Sequence, residues 1–195
     1  MKNTNQMIQL TQQEMLNLWK QHLHLDDTRR ECSVERDDGI DLDAWLTMRI
    51  KVWYARLLAQ APARWLPTQD VSDEVTLSID EQGCVTASIP PQCVRPLEWK
   101  LDSWQQSVTH FYAPHEPQAM AQHNPWTQAG THHPVAVDHG DRLCLFSAPA
   151  GTTPRLTMAT CVVCPADGTY VLHTEALASL PSLEHLQSAP VTNYI

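Results

Sequence analysis

Apolar residues recur at helical spacing in the first third of the chain and alternate with polar ones over most of the remainder. That change of period separates two kinds of element. Leu42, Leu46, Ile50, Trp53 and Leu57 fall on one face of a helix predicted over residues 42 to 61, the single buried stripe that an amphipathic helix needs. Asp41 or Asp43 supplies its N-cap. Pro62 ends it, having no amide to continue the ladder and biasing Ala61 away from helix. Upstream, Thr11-Gln12-Gln13-Glu14 has the spacing of a capping box, in which a hydroxyl and a carboxylate reciprocally satisfy open amides. A helix over roughly residues 12 to 25 should follow, with Met15, Leu16, Leu18, Trp19 and Leu23 as its stripe. The charge-dense stretch from Thr28 to Asp38 reads as a solvated loop.

After Pro67 the period becomes two. Val75, Leu77 and Ile79 alternate with polar residues, Asp80 to Gly83 supplies turn chemistry, and Val85, Ala87 and Ile89 alternate again, which predicts a β-hairpin. Further strands are predicted at Leu97 to Leu101, Val108 to Tyr112, Val135 to Val137, Arg142 to Ser147 and Leu156 to Val163. Ala113 to His133, rich in Pro, His, Gln and Asn, reads as a long irregular connection. A loop of this length is functional or held down by a neighbour. Thr174 is placed to cap a short last helix reaching Leu180, before Pro181.

These elements predict an α+β fold, with N-terminal helices packed on a mainly antiparallel β-sheet or sandwich carrying long loops. The length suits a single domain over residues 1–195: a helical part at 1–66, a β-rich part at 67–181 and an extended C-terminal tail at 182–195.

Charge changes the picture. Charged residues make up 18 % of the chain, below the usual quarter. Beyond Lys100 the only cations are Arg142 and Arg155, set against seven acids. With seven Trp and 14 Pro, such a composition suits a surface partly covered by partners, because interfaces lose charge and gain aromatics. A Ser/Thr/Gln-coated monomer fits it equally. A net charge of −9 argues against a basic footprint for gripping phosphates. No apolar window is long enough to cross a membrane, and residues 1–10 lack a secretory pattern, so a cytoplasmic site of synthesis is expected. All six cysteines are then read as reduced small hydrophobes.

Candidate chemistry is sparse. Cys161 and Cys164 form a CxxC, but no second ligand pair accompanies it, and on a strand positions i and i+3 face opposite sides. His110, His115, His123, His132, His133 and His139 cluster in sequence without the i,i+4 helical spacing of a ligand pair. Asp37, Asp38, Gly39, Asp41 and Asp43 are in the wrong order for a calcium loop and suit helix capping. There is no GxSxG, P-loop or GxGxxG. No enzymatic site, cofactor or metal is therefore expected. The alternative is a small cytoplasmic metal-binding protein or enzyme built on the His-rich loops at 110–139, and a third reading is a stand-alone interaction module of a mobile element.

From Pro96 onward the sequence resembles a known family. Pro96-Leu97, Lys100-Leu101, Trp104 and Val108 are followed by Gln122-His123-Asn124-Pro125-Trp126-Thr127, by His133-Pro134-Val135 and by Arg142 to Ser147. This order is similar to that of the neck ring or head-to-tail adaptor (connector) proteins of crAss-like bacteriophages and related prophages. The helix from Asp43 to Ala61 leading into Ala63-Arg64-Trp65-Leu66 is similar too. The resemblance implies a structural virion protein, a portal-associated homo-oligomeric ring, commonly twelvefold, through which DNA passes. It further implies contacts with the portal and with neighbouring neck or tail proteins, only non-specific proximity to DNA, no membrane, and assembly from host cytoplasm into the virion neck. Trp104, Asn124, Pro125, Trp126 and Pro134 are the interface residues expected on this reading, since aromatics and prolines on loops make low-entropy anchors. Core packing is the competing reading for Trp104. The acidic balance would suit a channel wall along which DNA slides.

Overall fold

In the computed structural model, residues 6–25, 41–80, 84–149 and 152–182 are described. They form an α+β protein divided into two compact units, one of Met1–Pro67 with Pro165–Ile195 and one of Thr68–Cys164.

The first unit is built on two helices and a two-stranded sheet. Strand β1 (Met7–Thr11) leads directly into helix α1 (Gln12–His22). The capping box expected at this junction is present: the Thr11 hydroxyl accepts from the Glu14 amide, and the Glu14 carboxylate accepts from the Thr11 amide at 2.8 Å. Helix α2 (Leu42–Gln60) is capped by Asp41, whose Oδ1 accepts from the amides of Asp43 and Ala44. Leu46, Ile50, Tyr54, Leu57 and Leu58 turn inward, with Met15, Leu16 and Trp19 of α1 also buried. Of the apolar stripe read from the sequence, Leu46, Ile50 and Leu57 are buried and Leu42 and Trp53 only partly so, while Tyr54 and Leu58 complete the buried face.

Strand β1 pairs antiparallel with β10 (Thr169–His173). Neither strand was expected from the sequence, because MIQLT and TYVLH are short and sit beside stronger helical signals. The expected last helix is a 3-10 turn, Thr174–Ser179, and its cap is His173 rather than Thr174: the His173 Nδ1 accepts from the Glu175 amide at 3.1 Å.

The second unit is a sandwich. One sheet has three strands in the order β2 (Thr68–Asp70), β9 (Leu156–Val163), β5 (Cys93–Leu101). The other has five, in the order β3 (Leu77–Ile79), β4 (Val85–Ser88), β8 (Arg142–Phe146), β7 (Val135–Asp138), β6 (Phe111–Tyr112). Every pairing is antiparallel except β6 with β7, which run parallel. Period-two alternation sends Val85 and Ala87, Leu143 and Leu145, and Ala136 into the core shared with Trp99, Leu101, Ala159 and Cys161 of the facing sheet.

The strand expected from Val108 to Tyr112 is cut to its last two residues. Val108 instead makes an isolated bridge to Trp99. The long connection after Tyr112 is not wholly irregular, because Pro117 opens a short helix, α3 (Pro117–Ala121), at the position where proline's missing amide costs nothing. The solvated loop expected at Thr28 to Asp38, the acids Asp37 and Asp38, most of the hairpin turn and all but the first residue of the C-terminal tail lie outside the described residues.

Candidate functional site

The same alternation that fills the sandwich core sends a second set of residues to the outer face of the five-stranded sheet. Cys84, Val137 and Phe146 meet Ala119 of α3 there, with Tyr112, Val135 and Cys144 packed around them. The connection from Ala113 to Pro134 lies over this face. Between α3 and the strands it leaves a cavity of about 490 Å³, lined by apolar Pro114, Ala119 and Phe146 and by polar Asp80, His139 and Arg142, among others.

The connection is pinned by its own polar groups. Glu116 accepts from the Ala113 amide at 2.7 Å, so the only formal charge between Ala113 and His133 is spent internally. Gln122 is buried, and its two ends tie distant points together: Nε2 donates to the Gln118 carbonyl at 2.9 Å and Oε1 accepts from the Ala129 amide at 2.8 Å. The Thr127 hydroxyl donates to the Ala121 carbonyl at 2.7 Å, and Asn124 Oδ1 accepts from the Trp126 amide at 3.0 Å. This is an Asx turn, in which a side chain stands in for a backbone carbonyl. Its product is a Trp126 side chain that is 93 % exposed on a loop held at both ends. Met120 on α3, six residues earlier, is 62 % exposed.

Of the interface residues expected from the sequence, Asn124, Pro125 and Trp126 are exposed together on this turn, and Pro134 is half-buried immediately before β7. Trp104 does not join them. It is 2 % exposed within the sandwich core beside Val108 and Leu101, so its ring has no surface to offer a partner.

The histidines do not converge. His110 packs edge-on against Tyr112 with ring centroids 4.4 Å apart, while His123 and His139 line the cavity. Among the described residues no group of three or more His, Cys, Asp or Glu side chains is placed to hold a metal ion.

The two CxxC cysteines part as the strand geometry requires: Cys161 is fully buried in β9 and Cys164 is exposed beyond its end. The partner of Cys161 is Cys93 on the adjacent strand, a pairing that sequence spacing does not announce. A hydrogen bond from the Cys93 thiol holds the Cys161 thiol below its ordinary pKa against the effect of burial. The cost falls on Cys93, whose pKa is pushed up chiefly by donating that bond and further by burial. A second pair, Cys84 and Cys144, faces the cavity. Burial, with the neighbouring Cys144 and Asp80, raises Cys84 to about 12, so its thiol is held protonated.

Fold and site together define an α+β protein that offers a hydrogen-bonded loop, its one formal charge turned inward, with an exposed aromatic tip. No protein-family model, curated protein or solved structure matches the chain.

Proposed function

We propose that the protein is a structural component of a bacteriophage neck, a ring-forming head-to-tail adaptor that joins a portal to neighbouring neck or tail proteins around the DNA channel. The reading rests on the order of residues from Pro96 to Ser147. It is supported by one observation above the others, the outward projection of Trp126 from a loop that spends its only charge and much of its hydrogen-bonding capacity on itself.

A tryptophan held in place before binding loses little side-chain entropy on association, which is why such residues carry a large share of interface energy. Leaving a ring of this size in water on an isolated monomer has no stabilising role within the fold. Identical subunits related by a rotation that closes, each using a different patch for its two neighbours, produce a ring. On this reading the work is mechanical, no reaction is catalysed, and the protein functions in the virion after synthesis in host cytoplasm.

The test is the native mass of the full chain across a wide concentration range, combined with imaging of any assembly. A closed multimer with a central channel is the expected result, formed either alone or on addition of the portal. A species that stays monomeric with and without portal at all concentrations removes the proposal. A monomer whose metal is held by histidines would favour instead a protein built on the histidines at 110–139, two of which line the cavity.

A further inference from the structure

Two antiparallel strands and one loop bring a pair of thiols to the wall of the cavity. The β4–β8 register sets Thr86 opposite Cys144 and Val85 opposite Leu145. Cys84, two residues before Thr86, therefore shares the outer face with Cys144 as its diagonal neighbour. Both line the cavity.

Diagonal neighbours of this kind have Cα atoms about 7–8 Å apart, beyond the ~6.8 Å at which a disulfide usually closes. A bridging atom removes the mismatch. Two metal–sulfur bonds of about 2.3 Å hold sulfurs up to ~4.6 Å apart, whereas a disulfide demands about 2.05 Å. Two thiolates without a third close ligand suit a soft monovalent cation of the copper(I) class, which accepts few, polarisable donors. Zinc or calcium needs more ligands than the described residues gather.

We propose that Cys84 and Cys144 form a two-coordinate site for copper(I) or a cation of equal softness, entered through the cavity beneath α3. Binding forms two metal–sulfur bonds and releases both thiol protons to solvent, with no change of oxidation state. The resulting bis-thiolate carries one net negative charge. Arg142 is the cation on the cavity wall able to offset it, while Asp80 opposes it and His123 and His139 stand at the same wall. Burial disfavours the free Cys84 thiolate, so a bound cation must displace its proton. The buried Cys93–Cys161 pair is packed into the core cluster, and neither cysteine lines the cavity.

The experiment is anaerobic titration of the full chain with copper(I) buffered by a colorimetric copper(I) chelator, read by chelator absorbance, by the ultraviolet thiolate-to-copper band and by native mass. The unaltered chain and Cys164→Ser should each take one copper(I) per chain. Cys144→Ser should bind at least about tenfold more weakly. In the unaltered chain, bound copper should protect Cys84 and Cys144 from alkylation, mapped by peptide mass, which keeps the test open if a variant fails to fold. Equal binding by Cys144→Ser, protection that falls on other cysteines, or no binding by the unaltered chain overturns the proposal. None of these readouts depends on ring assembly.

Discussion

The Tyr54 hydroxyl bonds both backbone polar groups of Val171, donating to its carbonyl oxygen at 2.9 Å and accepting from its amide at 3.0 Å. Among the described residues strand β10 has β1 as its single strand neighbour, so its other edge carries amides and carbonyls in need of partners. One side chain from α2 supplies both. The Tyr54 ring meanwhile packs edge-on against Tyr170 with centroids 5.0 Å apart. A helix residue is in this way bonded to the strand that closes the first unit from the far end of the chain.

Tyr54→Phe keeps the ring contact and removes only the hydroxyl, leaving an amide and a carbonyl of Val171 without that partner. A loss of about 1–3 kcal/mol is expected, read as a lower urea midpoint with an unchanged slope. An unchanged midpoint would mean that water replaces the hydroxyl at no cost.

Trp126→Ala separates folding from assembly. At 93 % exposure the side chain contributes little to its own fold, so the melting temperature should move by no more than about 0.5 kcal/mol of stability allows. Association, where it occurs, should weaken by about 2 kcal/mol or more, roughly thirtyfold in dissociation constant. Trp104→Ala should do the reverse, destabilising the sandwich by about 3–5 kcal/mol as a buried aromatic truncation does. If the two variants exchange these effects, the division between core and contact residues is wrong.

The helices were legible in the sequence because each advertises itself locally: Thr11 with Glu14, Asp41 with Leu46 and Ile50, and Pro62 as a stop. The sandwich strands were legible for the same reason, since alternation at Val85 and Ala87 or Leu143 and Leu145 reports a buried face directly. What could not be read were pairings between distant segments. Strands β1 and β10 are five residues each and acquire their conformation from one another across the whole chain. The parallel partnership of β6 and β7 and the burial of Trp104 are likewise set by tertiary contact. The candidate site was half visible. Trp126 stood out by type, but the cavity beneath α3 and the facing of Cys84 on Cys144 depend on a register that composition does not encode. Strand alternation told in advance that Cys161 and Cys164 part, but not that Cys161 meets Cys93 on the adjacent strand.

Thiol reactivity checks that sheet pairing. Cys164 is exposed and should react first and fast with an aromatic disulfide reagent under native conditions. Cys84 and Cys93 should lag by orders of magnitude, since both have raised pKa values. Cys161 should also lag despite its lowered pKa, because it is fully buried and reaction there requires opening of the sandwich. Denaturant should bring all of them to one rate. Fast reaction at Cys161 in the folded protein would place the β5–β9 ladder in doubt.

Asp70 gives the acid limb of stability a specific origin. Its Oδ1 accepts from the Ser72 amide at 3.0 Å and from the Ala159 amide at 3.1 Å, so a single carboxylate joins the end of β2 to the middle of β9. Burial acts to raise its pKa, but the two backbone amides and the Ser72 hydroxyl together outweigh burial and hold it below the ordinary 3.8. A carboxyl depressed in the folded state binds protons more readily when unfolded. Its stabilisation is therefore complete above the unfolded value and disappears as pH falls through the folded one. Asp70→Asn removes the titration while keeping a side-chain oxygen as acceptor. Thermal unfolding of both chains between about pH 6 and about pH 2 should show the unaltered protein ahead at the upper end and the gap closing toward the lower. Because Asp70 is largely exposed, the gap should be small and shrink with added salt. A gap that stays constant across that range would mean that the two amides are satisfied without the carboxylate charge.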